Sequence, residues 1–179
     1  MCIRDRYNPS RLTSTKPDIE EFQAALRGEA DLTAFISAQR TDLLGADASS
    51  LVTAMSTLLP PVDKQCLLSN KEMGQYTADV FHEGLKHSAD GWIDDDIAQL
   101  CHPWGFELSE IRVPVFLYQG SEDLMVPFAH GEWLAEHIPE EWLRKRLQEG
   151  EGHISIFFPN LERMVGELVD VASGREVRE

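Results

Sequence analysis

The sequence describes an α/β protein, helical in its first half and strand–helix–strand–helix in its second. Three observations point to this. From Pro17 to about Cys101, apolar residues recur at helical spacing and no alternating strand pattern occurs. Val113-Pro114-Val115-Phe116-Leu117-Tyr118 is a compact apolar run ended by Gln119-Gly120, the pattern of a strand buried on both faces. Helical stretches alternate with this strand and a second one, which implies parallel strands joined by a right-handed crossover.

The elements follow in order. Pro17-Asp18 opens a helix whose apolar positions are Ile19, Phe22, Ala25 and Leu26, and Gly28 closes it. A second helix runs from about Asp31 to Leu44, with Leu32, Phe35, Ile36 and Leu43 on one side. A third spans Ala48 to Leu59 and is stopped by Pro60-Pro61. Asp63 begins a longer segment to about His87, with Met73, Tyr76, Val80, Phe81 and Leu85 as its stripe. Trp92-Ile93-Asp94-Asp95-Asp96 opens a short helix through Leu100, its acids suiting a helix N-terminus. After the first strand, a helix from about Phe128 to His137 turns Trp133, Leu134 and Ile138 to the core. Trp142 to Leu147 forms a second, more polar strand. Ser155 to about Ala172 is the last helix, with Phe157, Leu161, Met164, Val165, Leu168 and Val169 expected inward and Ser155 as its N-cap.

Composition narrows the function. The 179 residues carry 31 acidic and 16 basic side chains, a net charge of −15. That balance disfavours nucleic acid, whose phosphates demand a basic surface, and an anionic membrane face. At 42% hydrophobic the chain is not of disordered composition, and no stretch nears the roughly 18 apolar residues that span a bilayer. Cys2, Cys66 and Cys101 are odd in number and widely spaced, forming neither a disulfide framework nor a CxxC site, so a reducing cytoplasm is the expected location. Oligomeric state is not legible.

Two loops collect the chemistry. Gly120-Ser121-Glu122-Asp123-Leu124-Met125-Val126-Pro127 follows the first strand, and Gly150-Glu151-Gly152-His153 follows the second. In open parallel sheets, functional groups gather beyond the carboxyl ends of the strands. Neighbouring strands lie about 5 Å apart, so Asp123 and His153 are expected to meet. The carboxylate would fix the imidazole tautomer and leave the other ring nitrogen free as a base. The bland readings are a turn aspartate and a surface-loop histidine.

This order of strand, G-x-x-D-x-x-V-P, helix, strand, G-H and closing helix resembles the C-terminal part of an α/β-hydrolase. Trp104-Gly105-Phe106, Val113-Pro114-Val115, Val126-Pro127 and His130-Gly131-Glu132-Trp133-Leu134 are similar to a bacterial branch of that family, over about residues 104–165. The family's triad runs nucleophile, acid, histidine along the chain. The resemblance implies Asp123 as the orienting acid and His153 as general base and acid, with no cofactor and no metal. It implies a partial hydrolase fold, in which residues 8–103 form a helical lid and residues 104–179 the C-terminal part of the core. Met1-Cys2-Ile3-Arg4-Asp5-Arg6 resembles an adaptor-derived leader on translated fragmentary reads. Residues 1–7 are therefore expected to be non-native, with a short disordered terminus as the alternative.

The departures are as informative. No G-x-S-x-G elbow and no H-G-G-type oxyanion loop occurs in the sequence. Ser121 suits a turn, Ser155 a cap, and Cys101-His102 are adjacent, so none is expected to replace the nucleophile. Asp94-Asp95-Asp96 offers carboxylates to a hard cation, but a helix terminus is the simpler reading. His82, His87 and His130 show no zinc-type spacing. The expectation is a fragment of a hydrolase acting on a small organic ester, amide or similar substrate. The alternative is a non-catalytic acidic helical module that binds a partner protein.

Overall fold

The computed structural model describes residues 16–103 and 105–175. The expected leader at 1–7, and Trp104, lie outside them. The helical part comprises α1 (Lys16–Arg27), α2 (Glu29–Leu44), α3 (Ala48–Ala54), α4 (Pro61–Ser69), α5 (Lys71–Leu85) and α6 (Asp90–Asp96). A wider helical turn, Ile97–Cys101, extends α6. The second part runs β1 (Val115–Gly120), α7 (Phe128–His137), β2 (Leu143–Gln148) and α8 (Phe157–Ala172).

Local chemistry sets these boundaries. Gly28, at φ +133°, breaks α1 from α2 in a conformation that L side chains rarely adopt. Asp47 caps α3 by accepting the Ser50 N–H, and Pro61 starts α4 where its missing N–H costs nothing. Two expectations are corrected here. The third helix ends at Ala54 rather than Leu59, because the chain tightens into turns such as Leu58 N–H to Met55 O. The segment from Asp63 to His87 is two helices, split where Asn70 leaves helical geometry and caps α5 through the Met73 N–H.

Apolar burial is concentrated in the helical part. Leu32, Ile36, Leu43, Leu51, Leu85 and Ile93 form its main core, joined by Phe35, Phe81 and Trp92. A smaller cluster of Val52, Leu59 and Leu67 reaches across to Met125 and Ile154, one from each strand-end loop. This second cluster ties the helical part to the sheet.

Among the described residues the sheet has two parallel strands, in register from Val115 opposite Leu143 to Gly120 opposite Gln148. Two strands make a narrow floor. Val115, Phe116, Leu117 and Tyr118 are consequently only half-buried, and the expectation of a strand buried on both faces is corrected. The last helix is corrected further. Phe157, Leu161, Val165, Leu168 and Val169 are exposed rather than inward, Leu168 at 61%. Its buried residue is Glu167, which accepts the Tyr118 hydroxyl at 2.7 Å and pairs with Arg146 at 2.8 Å. A polar clasp, not its apolar stripe, holds α8 to the sheet.

Candidate functional site

The two loops beyond the carboxyl ends of β1 and β2 are stitched together by the backbone. Ser121 N–H reaches Gln148 O at 2.9 Å, and Glu122 N–H reaches Glu151 O at 2.8 Å. Gly120 is required at this seam, since a Cβ there would collide with the Glu151 carbonyl. Ser121 Oγ accepts the Gly150 N–H at 2.9 Å, which spends that hydroxyl on the turn.

Asp123 is buried, and both its oxygens are occupied. Oδ1 accepts the N–H groups of Met125 and Val126 at 2.9 and 2.8 Å, closing the turn that leads into α7. Oδ2 accepts Gln119 Nε2 at 3.0 Å and lies 3.0 Å from His153 Nδ1. The carboxylate accepts only, so Nδ1 carries the proton and Nε2 is left with its lone pair. The His153 side chain is 46% exposed, against 4% for Asp123. The ring thus stands between a buried acid and solvent. Its hydrogen bond to Asp123 raises the His153 pKa above the ordinary imidazole value, against the effect of burial. The negative charges of Asp123 and Asp63 add to that rise.

Asp63 is the part that sequence reading missed. It lies in the first turn of α4 and is fully buried. Oδ2 accepts the His153 N–H at 2.9 Å, and Oδ1 accepts those of Ile154 and Ser155 at 3.2 and 2.8 Å. The backbone of Gly152 presses on this carboxylate so closely that a Cβ there would overlap it. The signal in sequence was slight: one acid after Pro60-Pro61. Gln119 was also missed. In sequence it reads as a strand terminator, whereas its buried amide donates to Asp123 and to Val126 O, the latter at 2.9 Å. The α7 backbone packs directly on it, since a Cβ on Gly131 would sit 2.9 Å from Gln119 Cγ.

The other candidate groups are elsewhere or already committed. Ser155 Oγ accepts the Gly152 N–H at 2.8 Å inside the loop, rather than capping α8, whose first turn follows Ile156. Cys101 Sγ lies 3.5 Å from Ala25 O in the helical part, remote in the chain from both loops. Asp94, Asp95 and Asp96 close α6 instead of opening it, which removes the helix-dipole explanation for them. No cluster of three metal-ligating side chains occurs among the described residues. No described helix is long and apolar enough to cross a membrane. A cavity of about 640 Å³ lined by Ser109, His137, Ile138 and Leu143 lies at the opposite, amino end of β2. It shares no residue with the Asp123–His153 pair.

The arrangement can therefore take up a proton at His153 Nε2 while Asp123 stabilises the resulting imidazolium. Among the described residues, no hydroxyl or thiol is hydrogen-bonded to Nε2. No family model, curated protein or solved structure matches this chain.

Proposed function

We propose that this chain carries the acid and base of an α/β-hydrolase-type active site for a small organic ester, amide or similar substrate. In this reading, the nucleophile comes from a further part of the same sheet. One observation carries the proposal: a half-exposed imidazole whose Nδ1 lies 3.0 Å from a buried carboxylate held by three other N–H donors. An aspartate serving only as a turn residue has no need of the Gln119 amide or of a histidine on its second oxygen.

In that role His153 Nε2 takes the proton of an attacking hydroxyl and returns it to the leaving group, while Asp123 stays ionised and fixes the ring. The helical part, residues 16–103, would serve as lid, bringing Met125 and Ile154 of the site loops against its own Val52, Leu59 and Leu67. The narrow sheet supports the same reading. Among the described residues β1 pairs with β2 alone, and the apolar stripe of α8 is exposed. Additional strands on the free edge of β1 would cover both.

The experiment is to sequence the gene upstream of Tyr7 and express the complete open frame. A preceding strand with G-x-S-x-G, and hydrolysis of a small aryl ester lost by at least about 10³-fold in His153→Ala, is the expected result. A stop codon just upstream, or esterase activity indifferent to His153, overturns the proposal.

The exposed stripe on α8 also favours the second reading, a non-catalytic acidic helical module whose partner seats on that helix. The two separate on the same frame: the module reading needs no elbow and no loss of function in His153→Ala.

A further inference from the structure

We propose that Asp63 is a positioning residue for His153: a buried carboxylate of the helical part that clamps the backbone of the histidine loop and so sets the imidazole against Asp123. The inference rests on the reading of His153 as a base.

Three consecutive N–H groups, of His153, Ile154 and Ser155, converge on this one carboxylate at 2.8–3.2 Å. Together they fix the backbone from which the imidazole projects. A loop after a strand can satisfy its N–H groups from water or from its own carbonyls. Here it does so with a charge brought from about ninety residues away and removed completely from solvent. Such burial is costly unless every donor is aligned, so the carboxylate and the loop are in place together or not at all. Gly152 permits the approach, since any Cβ there would overlap the Asp63 carboxylate. Two apolar contacts run beside the clamp. Leu59 and Leu67, flanking Asp63 in sequence, belong to the cluster that meets Met125 of the acid loop and Ile154 of the histidine loop. The helical part thus grips both halves of the acid–base pair. A shift of α4 would move the His153 backbone before it touched the imidazole.

Two carboxylates act on the ring with different geometry. Asp123 bonds Nδ1, while Asp63 reaches it only through the field and the backbone. Replacing Asp63 by Asn tests the second alone. The Asn carbonyl can still accept from Ile154 and Ser155, but its amide opposes the His153 N–H and its charge is gone.

The test is nuclear magnetic resonance on the chain itself, following the His153 ring through a pH titration in wild type, Asp63→Asn and Asp63→Glu. Circular dichroism checks the fold. Asp63→Asn is expected to stay folded, shift the His153 midpoint downward and broaden the Nδ1 proton signal. Asp63→Glu, which keeps the charge, should restore the midpoint in part. An unchanged midpoint and an unchanged Nδ1 signal in folded Asp63→Asn overturn the proposal. Should Asp63→Asn not fold, wild-type amide exchange decides. The N–H groups of residues 153–155 are expected to exchange no faster than those of α4, and exchange at loop rates overturns the clamp. No step here requires turnover. A missing elbow upstream would remove the hydrolase reading while leaving the measured coupling intact, and the converse result is equally separable.

Discussion

Gln119 Nε2 lies 3.0 Å from Asp123 Oδ2, and both residues are buried. The same nitrogen donates to Val126 O at 2.9 Å, so the amide can be oriented in one way only. Gln119→Met keeps the length and removes the donor, leaving Val126 O and one Asp123 lone pair short. Urea denaturation is expected to show a loss of about 1–3 kcal/mol, the cost of leaving a buried acceptor without its donor. Gln119→Glu should cost more, because it sets a second carboxylate against the first. Stability unchanged in Gln119→Met would reduce Gln119 to a spacer.

The Asp123–His153 contact makes stability depend on pH in a defined direction. The folded His153 pKa is raised, first by its hydrogen bond to Asp123. The folded state therefore holds the proton more tightly than the unfolded chain does. Its contribution is complete below the ordinary imidazole pKa of about 6.5 and fades as pH climbs through the raised value. Asp123→Asn should flatten this limb. Thermal melts of both proteins from pH 6 to 9 check it, and parallel curves would mean that the pair is not coupled.

How far the residues disclosed this arrangement follows from what each element depends on. Asp123 and His153 were legible because parallel strands and a short crossover fix where their loops fall, whatever else surrounds them. Asp63 was not, because its partners are backbone N–H groups about ninety residues away, and no periodicity encodes such a contact. The stripe of Phe157, Leu161, Val165 and Leu168 was legible as a helix but misplaced as core. Periodicity marks an apolar face without saying that two strands suffice to bury it. Asp94-Asp95-Asp96 reads as a helix start because composition gives no polarity. The helix begins at Asp90, and Asp96 faces inward to another carboxyl.

That carboxyl pair gives a second, separable pH dependence. Glu21 of α1 accepts the Trp92 indole N–H at 2.8 Å and lies against Asp96. Burial, and then the contact with Asp96, push the Glu21 pKa up to about 7. Asp96 Oδ2 is buried without another partner, so a proton held on Glu21 supplies the donor it lacks. In this window the folded state binds more protons than the unfolded chain. Stability is then greatest below about pH 4.5 on account of this pair, falls toward pH 7, and levels off above it. Glu21→Gln keeps an acceptor for Trp92 and offers Asp96 a permanent N–H. The variant is expected to match wild type near pH 5 and to melt a few degrees higher at pH 8. An equal or lower melting temperature at pH 8 would dismiss the shared proton.

Glu167 decides whether α8 stays docked. With Leu168 61% and Val165 51% exposed, the apolar face of this helix contributes little to holding it. The buried Glu167 carboxylate meets the Tyr118 hydroxyl at 2.7 Å and Arg146 Nη2 at 2.8 Å, while Arg146 Nε lies 3.3 Å from the same hydroxyl. Glu167→Ala therefore removes the acceptor of a half-buried phenol and the charge partner of a guanidinium together. The expected cost is about 1–3 kcal/mol, below the roughly 3–5 kcal/mol of breaking a fully buried pair, because Arg146 keeps some contact with water. The loss should be local. Hydrogen exchange is expected to quicken across Phe157–Ala172 while the α2 and α5 amides stay protected. Leu168→Lys, on the open face, should leave stability within about 0.5 kcal/mol of wild type. If Leu168→Lys destabilises α8 as much as Glu167→Ala does, the stripe is packed in solution and the polar clasp is not what holds the helix.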